Sequence, residues 1–204
     1  GKVRRPPRLT LPLIVKSLSE DSSYGIAQAS VVDSDDKLAE RVTFIHEKIG
    51  TAAIAEQYIE GRELYVGVLG NRRLTALPIW ELNLANLPEA ARRIATERLK
   101  SSVAYQKKHG VTSGPAQGIE EPVATKIRSL CKRVYSILYM NGYARIDLRL
   151  AENGQVYVIE ANPNPQLARG EDLADSAAAA GIDYGALLQR IVRLGLEWDP
   201  ADAY

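Results

Sequence analysis

The stretch from residue 143 to residue 166 constrains this chain most. Residues 143–150 (YARIDLRL) alternate apolar and polar positions, Asn153-Gly154 is a hairpin-turn signal, and residues 155–161 (QVYVIEA) return as a second strand. In a strand, residues two apart share a face. Arg145, Asp147 and Arg149 therefore point one way from the first strand, and Glu160 and Asn162 share a face of the second. With the turn at Asn153-Gly154, Asp147 and Glu160 fall near each other across the pair. Two carboxylates and an amide oxygen on one face suit a hard divalent cation such as Mg2+ carrying phosphate oxygens. The adjacent arginine would neutralise phosphate charge left uncovered by metal. A solvated surface hairpin with an Arg–Asp pair fits the same pattern, and such a pair contributes little. What favours a site is Asn162-Pro163-Asn164-Pro165, where the strand stops in a rigid polar turn directly after a carboxylate.

The rest of the chain supplies further strands and helices. Residues 9–18 (LTLPLIVKSL) form a β-rich apolar run carrying Lys16, residues 19–25 (SEDSSYG) a polar loop, and residues 26–32 (IAQASVV) an alternating second strand. Asp33, Ser34 and Asp35 offer N-caps for a helix over about residues 36–48, with Leu38, Val42 and Ile45 on one face and Gly50 as its stop. Residues 52–59, 63–69 and 74–82 read as strands, the last carrying a proline that marks an edge or bulge. Residues 88–108 have helical character, and residues 109–118 read as loop; so long a weakly structured stretch is often an active-site loop. Pro122 opens a helix to about Asn141, and two more helices occupy residues 173–180 and 184–198, the latter capped by Asp183.

Composition removes several function classes. A net charge of +1 gives no electrostatic case for nucleic acid or an acidic membrane surface. No apolar run approaches the roughly 20 residues that span a bilayer. The single cysteine, Cys131, lies on the apolar stripe of a predicted helix, and a buried inert thiol is expected there. His46 and His109 lack the neighbours of a zinc site or a catalytic triad.

Four segments, in order, carry a resemblance. These are VKSLSEDSSYGI (15–26), AEQYIEGREL (55–64), YARIDLRL (143–150) and VIEANPNP (158–165). Together they resemble the ATP-grasp superfamily, most of all its D-alanine–D-alanine ligase branch, over about residues 11–198. The resemblance implies an α+β fold with two α/β lobes, largely antiparallel sheets and a nucleotide bound between them. The expected organisation is a linker or chain boundary at 1–9, a small lobe at 10–62 and a large lobe with the metal site at 63–204. It also implies roles for individual residues. Lys16 would contact nucleotide phosphates, and the loop with Ser22, Ser23 and Gly25 would close over them, Ser22 acting in catalysis as well. Glu56 and the backbone of Gln57, Tyr58 and Ile59 would read the adenine, and Glu63 the ribose hydroxyls. Asp147, Glu160 and Asn162 would hold two Mg2+ ions, or Mn2+ in their place, and Arg145 would stabilise the transferring phosphoryl group.

The implied reaction is ATP-dependent joining of a carboxylate to an amine through an acylphosphate, in the cytoplasm. Small-molecule carboxylate and amine substrates are the implied partners, and a homodimer is compatible with the sequence. Three departures from the pattern matter. The α/β domain that precedes this part in the ligases is absent, so a longer parent protein is expected and full activity in isolation is not. The ligases follow a catalytic lysine with a tyrosine; Lys100 matches the lysine, but Ser101 follows it. After the metal-binding asparagine the ligases have Pro-Gly and then a serine that holds the acceptor carboxylate. This chain has Pro163-Asn164-Pro165-Gln166 and then Gly170-Glu171-Asp172, whose charges would repel such a carboxylate. An acceptor other than D-alanine, either a cationic amine or a larger amine-bearing molecule, is therefore expected. A phosphotransferase and a non-catalytic ATP-binding module are the competing classes.

Overall fold

Apolar residues alternate along the first strand, and they place it at the centre of a small sheet. The computed structural model describes residues 3–20, 23–84, 86–88 and 91–199, and leaves the side chains of Lys100, Ser101 and Val103 undescribed. The chain divides into two compact units, residues 1–60 with 84–111, and residues 61–83 with 112–204. The first break lies between Glu60 and Gly61, two residues before the expected lobe boundary. Residues 84–111, expected with the second lobe, pack with the first unit instead.

In the first unit β1 (Leu13–Ser17) lies between β2 (Val31–Val32) and β3 (Ala53–Gln57), antiparallel to both. Leu13 and Val15 are buried against Val32 and Leu38, and Lys16 takes the alternate face. Helix α1 (Asp35–Phe44) starts on Ser34, whose hydroxyl accepts the Lys37 N–H at 3.2 Å. It widens into π-turns over Ile45–Ile49 and stops at Gly50, with φ at 81°. The expected strand at 26–32 is reduced to its last two residues, because Gln28–Ser30 form a 3-10 turn. There the Ser30 hydroxyl accepts the Ala27 N–H at 3.0 Å, and such local side-chain bonds compete with strand pairing. The helical character of 88–108 resolves into two short helices, α2 (Glu97–Ser101) and α3 (Val103–Lys108). Thr96 and Ser102 cap them by accepting the N–H groups of Leu99 and Tyr105, each at 3.2 Å, and the second cap divides the run.

The second unit is built on the pairing of β4 (Arg62–Leu69) with β8 (Tyr143–Leu150), which runs unbroken from Arg62↔Leu150 to Leu69↔Tyr143. The sheet order is β7 (Thr112–Pro115), β6 (Trp80–Asn83), β4, β8 and β9 (Val156–Asn162), and β5 (Thr75–Ala76) also pairs with β4. The expected strand at 74–82 is split, because Pro78 has no N–H to donate; it becomes β5 and β6 (Trp80–Asn83). Part of the expected loop at 109–118 is a strand, β7 (Thr112–Pro115), held to β6 by backbone pairing without an apolar pattern of its own.

One face of β4 and β8 is dry. Leu64, Val66, Val68, Ala144, Ile146 and Leu148 pack against α4 (Glu121–Ile137) through Ala124, Ile127, Cys131 and Tyr135. The Tyr135 hydroxyl donates to the Gly70 carbonyl at 2.7 Å, so its polar end is satisfied in the core. Cys131 is fully buried, which pushes its thiol up to about 12, as expected of an inert residue. Helices α5 (Asp172–Ala179) and α6 (Tyr184–Leu196) cover one end of the opposite face, where Leu69, Leu77, Leu173, Ala177 and Leu187 cluster. No helix among the described residues is long and apolar enough to cross a membrane.

Gly67 allows this close approach. A Cβ there would lie 2.5 Å from a Leu173 methyl and 2.7 Å from a Leu77 methyl, both on buried side chains. Gly67→Ala is expected to destabilise the second unit by about 1–3 kcal/mol, the usual range for overpacking. Urea unfolding followed by near-UV circular dichroism would measure it.

Candidate active site

The site begins with a register decision in the hairpin of β8 and β9 (Val156–Asn162). The turn as built closes Leu150 on Val156, and Leu148 then pairs with Val158. Carried onward without a break, that register would set Asp147 opposite Ile159 and turn Glu160 to the wrong face. The register instead shifts by one between Asp147 and Leu148, leaving Ile159 as the extra residue of a β-bulge. Asp147 thereby faces Glu160 and Arg145 faces Asn162. The hairpin brings together the four residues the sequence singled out.

Their chemistry is tightly coupled. The Arg145 guanidinium donates to both Asp147 oxygens, Nε at 2.7 Å and Nη2 at 2.9 Å, and it lies 4.6 Å over the Tyr65 ring. Burial pushes the Asp147 carboxyl up to about 6, with the charges of Glu160 and Glu63 acting the same way and Arg145 opposing them. Burial pulls Arg145 down, but the hydrogen bond to Asp147 together with the charges of Asp147, Tyr65 and Asp172 holds the guanidinium above its ordinary range. The Asn162 side-chain oxygen accepts the Asn164 N–H at 2.8 Å, so the turn after the strand fixes its rotamer. Glu160 is exposed. Asp147, Glu160 and the Asn162 amide make a set of hard oxygen donors that fits a divalent cation of the Mg2+ kind. Among the described residues no group of three or more His, Cys, Asp or Glu side chains is placed to hold a metal ion.

The same face continues onto β4. Arg149, opposite Glu63 in register, donates to its carboxylate at 2.6 Å and to the Gly61 carbonyl at 2.9 Å, and the Tyr65 hydroxyl donates to Glu63 at 2.7 Å. Asp172, the first residue of α5, accepts from the Ser113 hydroxyl at 2.5 Å and lies 3.9 Å from the Arg145 Nη1. Tyr65 and the Arg149–Glu63 bond were not anticipated. Alternation does place Tyr65 on the face of Glu63, and Arg149 on that of Asp147. Asp172 comes from a separate helix, and no local pattern connects it with Arg145.

In the first unit Lys16 and Glu56 are partners, 2.5 Å apart across neighbouring strands. Gln57 ends β3, and Tyr58 and Ile59 lie just beyond the strand, Tyr58 buried with its N–H on the Pro12 carbonyl at 3.0 Å. The loop after β1 is anchored at its start by the buried Ser17, whose hydroxyl accepts the N–H groups of Ser19 and Glu20 at 3.2 and 3.1 Å and shares a hydrogen bond with Thr51. Ser23 takes a left-handed backbone with φ at 64°, as does Gly25 at 71°. Ser22 lies outside the described residues, as does the side chain of Lys100.

Solved structures share this architecture. The D-alanine–D-alanine ligase from Coxiella burnetii matches with a TM-score of 0.71 at 20% identity, over 91% of this chain and 45% of that one. VanG D-Ala:D-Ser ligase from Enterococcus faecalis matches with a TM-score of 0.70 at 22% identity, over 92% of this chain and 50% of that one. The architecture is the ATP-grasp fold, α+β with antiparallel sheets. The family profile described as "D-ala D-ala ligase C-terminus" matches residues 6–193, and the chain belongs to that family. Among its relatives, the y4sG protein of Sinorhizobium fredii (strain NBRC 101917 / NGR234) is 33% identical over 184 residues, 90% of this chain and 52% of its own length. The D-alanine–D-alanine ligase of Desulfotalea psychrophila (strain LSv54 / DSM 12343) is 32% identical over 189 residues, 93% of this chain and 55% of its own length. The chain thus spans about half the length of the curated relatives it matches.

The raised Asp147 carboxyl has a signed consequence. Its folded pKa lies above the ordinary 3.8, so its contribution to stability is fully present at low pH and is lost as pH rises through about 6. Without metal, the wild-type chain should lose on the order of 2–3 kcal/mol relative to Asp147→Asn between about pH 4 and pH 7. Urea titrations of both proteins across that range would show it as a pH-dependent difference in midpoint.

Proposed function

We propose that this chain is the nucleotide- and metal-binding part of an ATP-dependent carboxylate–amine ligase, which activates a carboxylate as an acylphosphate and transfers the acyl group to an amine. The observation that carries this reading is the bulged pairing of Arg145 and Asp147 with Asn162 and Glu160 on one polar sheet face. Membership of the D-alanine–D-alanine ligase C-terminal family supports it, as does the likeness to the Bacillus anthracis ligase solved with ATP, at a TM-score of 0.69 and 24% identity.

In this reading Asp147, Glu160 and Asn162 hold Mg2+, two ions being expected, with Mn2+ as a substitute. When bound, the metal neutralises phosphate charge and aligns the phosphoryl group for in-line transfer. Asp147 is already desolvated, so its negative charge is poorly compensated by water and favours a cation. Arg145 remains protonated and projects from the same face, where its positive charge opposes charge that builds on a transferring phosphoryl group. Glu63 is held in one rotamer by Arg149 and Tyr65, ready to accept from ribose hydroxyls. Lys16 and the loop with Ser22, Ser23 and Gly25 bind the phosphates, while Glu56 and the backbone of Gln57, Tyr58 and Ile59 read the adenine. Lys100, carried on α2, is the catalytic lysine of this reading.

The acceptor is a cationic or larger amine rather than D-alanine. Asp172 supports this, because its carboxylate is fixed by Ser113 and lies beside Arg145, and Glu171 precedes it. A carboxylate-bearing acceptor would meet like charge there.

Thermal stabilisation by Mg2+ with ADP is the first test, with several degrees expected at saturating ligand; no shift with any nucleotide would sink the reading. Arg145→Met should leave that stabilisation largely intact but cut turnover of the whole protein by about 100-fold or more. Hydroxylamine added during turnover separates a ligase from a phosphotransferase, since only an acylphosphate yields a hydroxamate. ADP release with D-alanine alone, at the rate of a D-alanine–D-alanine ligase, would refute the acceptor assignment.

A further inference from the structure

The loop at residues 19–25 has a second anchor, at its exit, built from residues with no role so far. Arg41, on α1, is buried, with 7% of its surface exposed. Its guanidinium donates to the Gly25 carbonyl and stacks 4.4 Å over the Phe44 ring. Its Nε has no hydrogen-bond partner, and among the described residues no carboxylate forms an ion pair with it. A buried guanidinium without a counter-ion is costly, and burial lowers its pKa accordingly. From the other side, the Glu97 carboxylate accepts the Gly25 N–H at 2.8 Å, and the Glu97 N–H donates to the Ile26 carbonyl at 2.9 Å. Gly25 is left-handed with φ at 71°, and a Cβ there would lie 2.9 Å from the Ile49 δ-methyl. One glycine is thus held at its N–H and its carbonyl, by residues from two different helices.

We propose that Arg41 and Glu97 are positioning residues that clamp the Gly25 peptide and so set the loop for the phosphate chain of a nucleotide. The inference rests on the nucleotide-binding reading of this loop. One physical term favours it: the clamp fixes the Gly25 peptide at its N–H and its carbonyl before ligand arrives, which lowers the ordering cost of binding. Glu97 opens α2, which also carries Lys100, so the clamp ties the backbone of both segments together.

The test has two arms. In the first, with no nucleotide, amide hydrogen exchange at Gly25 and Ile26 is compared in the wild-type chain, Arg41→Met and Glu97→Ala. Exchange in Arg41→Met should accelerate by about tenfold or more, the loss of one charge-assisted hydrogen bond, while exchange in the second unit stays unchanged. Unchanged exchange at Gly25 would overturn the clamp, whether or not the chain binds nucleotide. In the second arm, Mg2+ with ADP and then adenosine are titrated into the same proteins. Arg41→Met should weaken ADP by about tenfold and leave adenosine within about twofold, with Arg41→Lys intermediate and Glu97→Gln close to wild type, because the amide oxygen can still accept. Equal losses for ADP and adenosine would also overturn it, since a merely structural role predicts that pattern. A wild-type chain blind to both ligands would refute the nucleotide reading, and the exchange arm would still decide the clamp.

Discussion

The pairing of β4 with β8 is the interaction on which the second unit depends. Eight consecutive residue pairs put Leu64, Val66 and Val68 with Ala144, Ile146 and Leu148 on one side, where α4 covers them. The same ladder necessarily gathers Glu63, Tyr65, Arg145, Asp147 and Arg149 on the other side. A slip of one residue between these strands would bury the charges and expose the core, so burial fixes the register firmly. The polar face is held in place by the stability of the dry one.

That polar face carries a cost the fold offsets only in part. Asp147 is buried beside Glu160 and Glu63, and Arg145 relieves but does not cancel the penalty. Arg149 and Tyr65 hold Glu63, and Ser113 holds Asp172. A buried carboxylate pushed upward by neighbouring carboxylates is a recurring property of functional sites. In the first unit the buried Arg41 guanidinium bonds the Gly25 carbonyl and leaves its Nε without a partner.

Much of the plan was legible in the sequence because its signals are local. Ser34 and Asp183 were readable as caps, since each hydroxyl or carboxylate bonds an N–H three residues on. Elements without an apolar period were not. Strand β7 is paired to β6 through its backbone without an apolar pattern of its own, and the 3-10 turn at Gln28–Ser30 turns on one serine bond that overrides an alternating pattern. Residues 84–111 group with residues 1–60, and chain continuity says nothing about which core a segment joins.

The sequence by itself determined the hairpin, its polar face and the identity of Arg145, Asp147, Glu160 and Asn162, because a period of two and an Asn-Gly turn act over a few residues. Only the tertiary structure decided how those side chains meet. The turn alone leads toward a register that separates Asp147 from Glu160, and the bulge at Ile159 restores it. Gly67 lets α5 approach closely enough to bring Asp172 to Arg145, and Arg41 and Glu97 converge on Gly25 from distant positions. The two contacts to Gly25 join residues 16 and 72 positions apart, and their geometry is set by packing between elements, which no local pattern encodes.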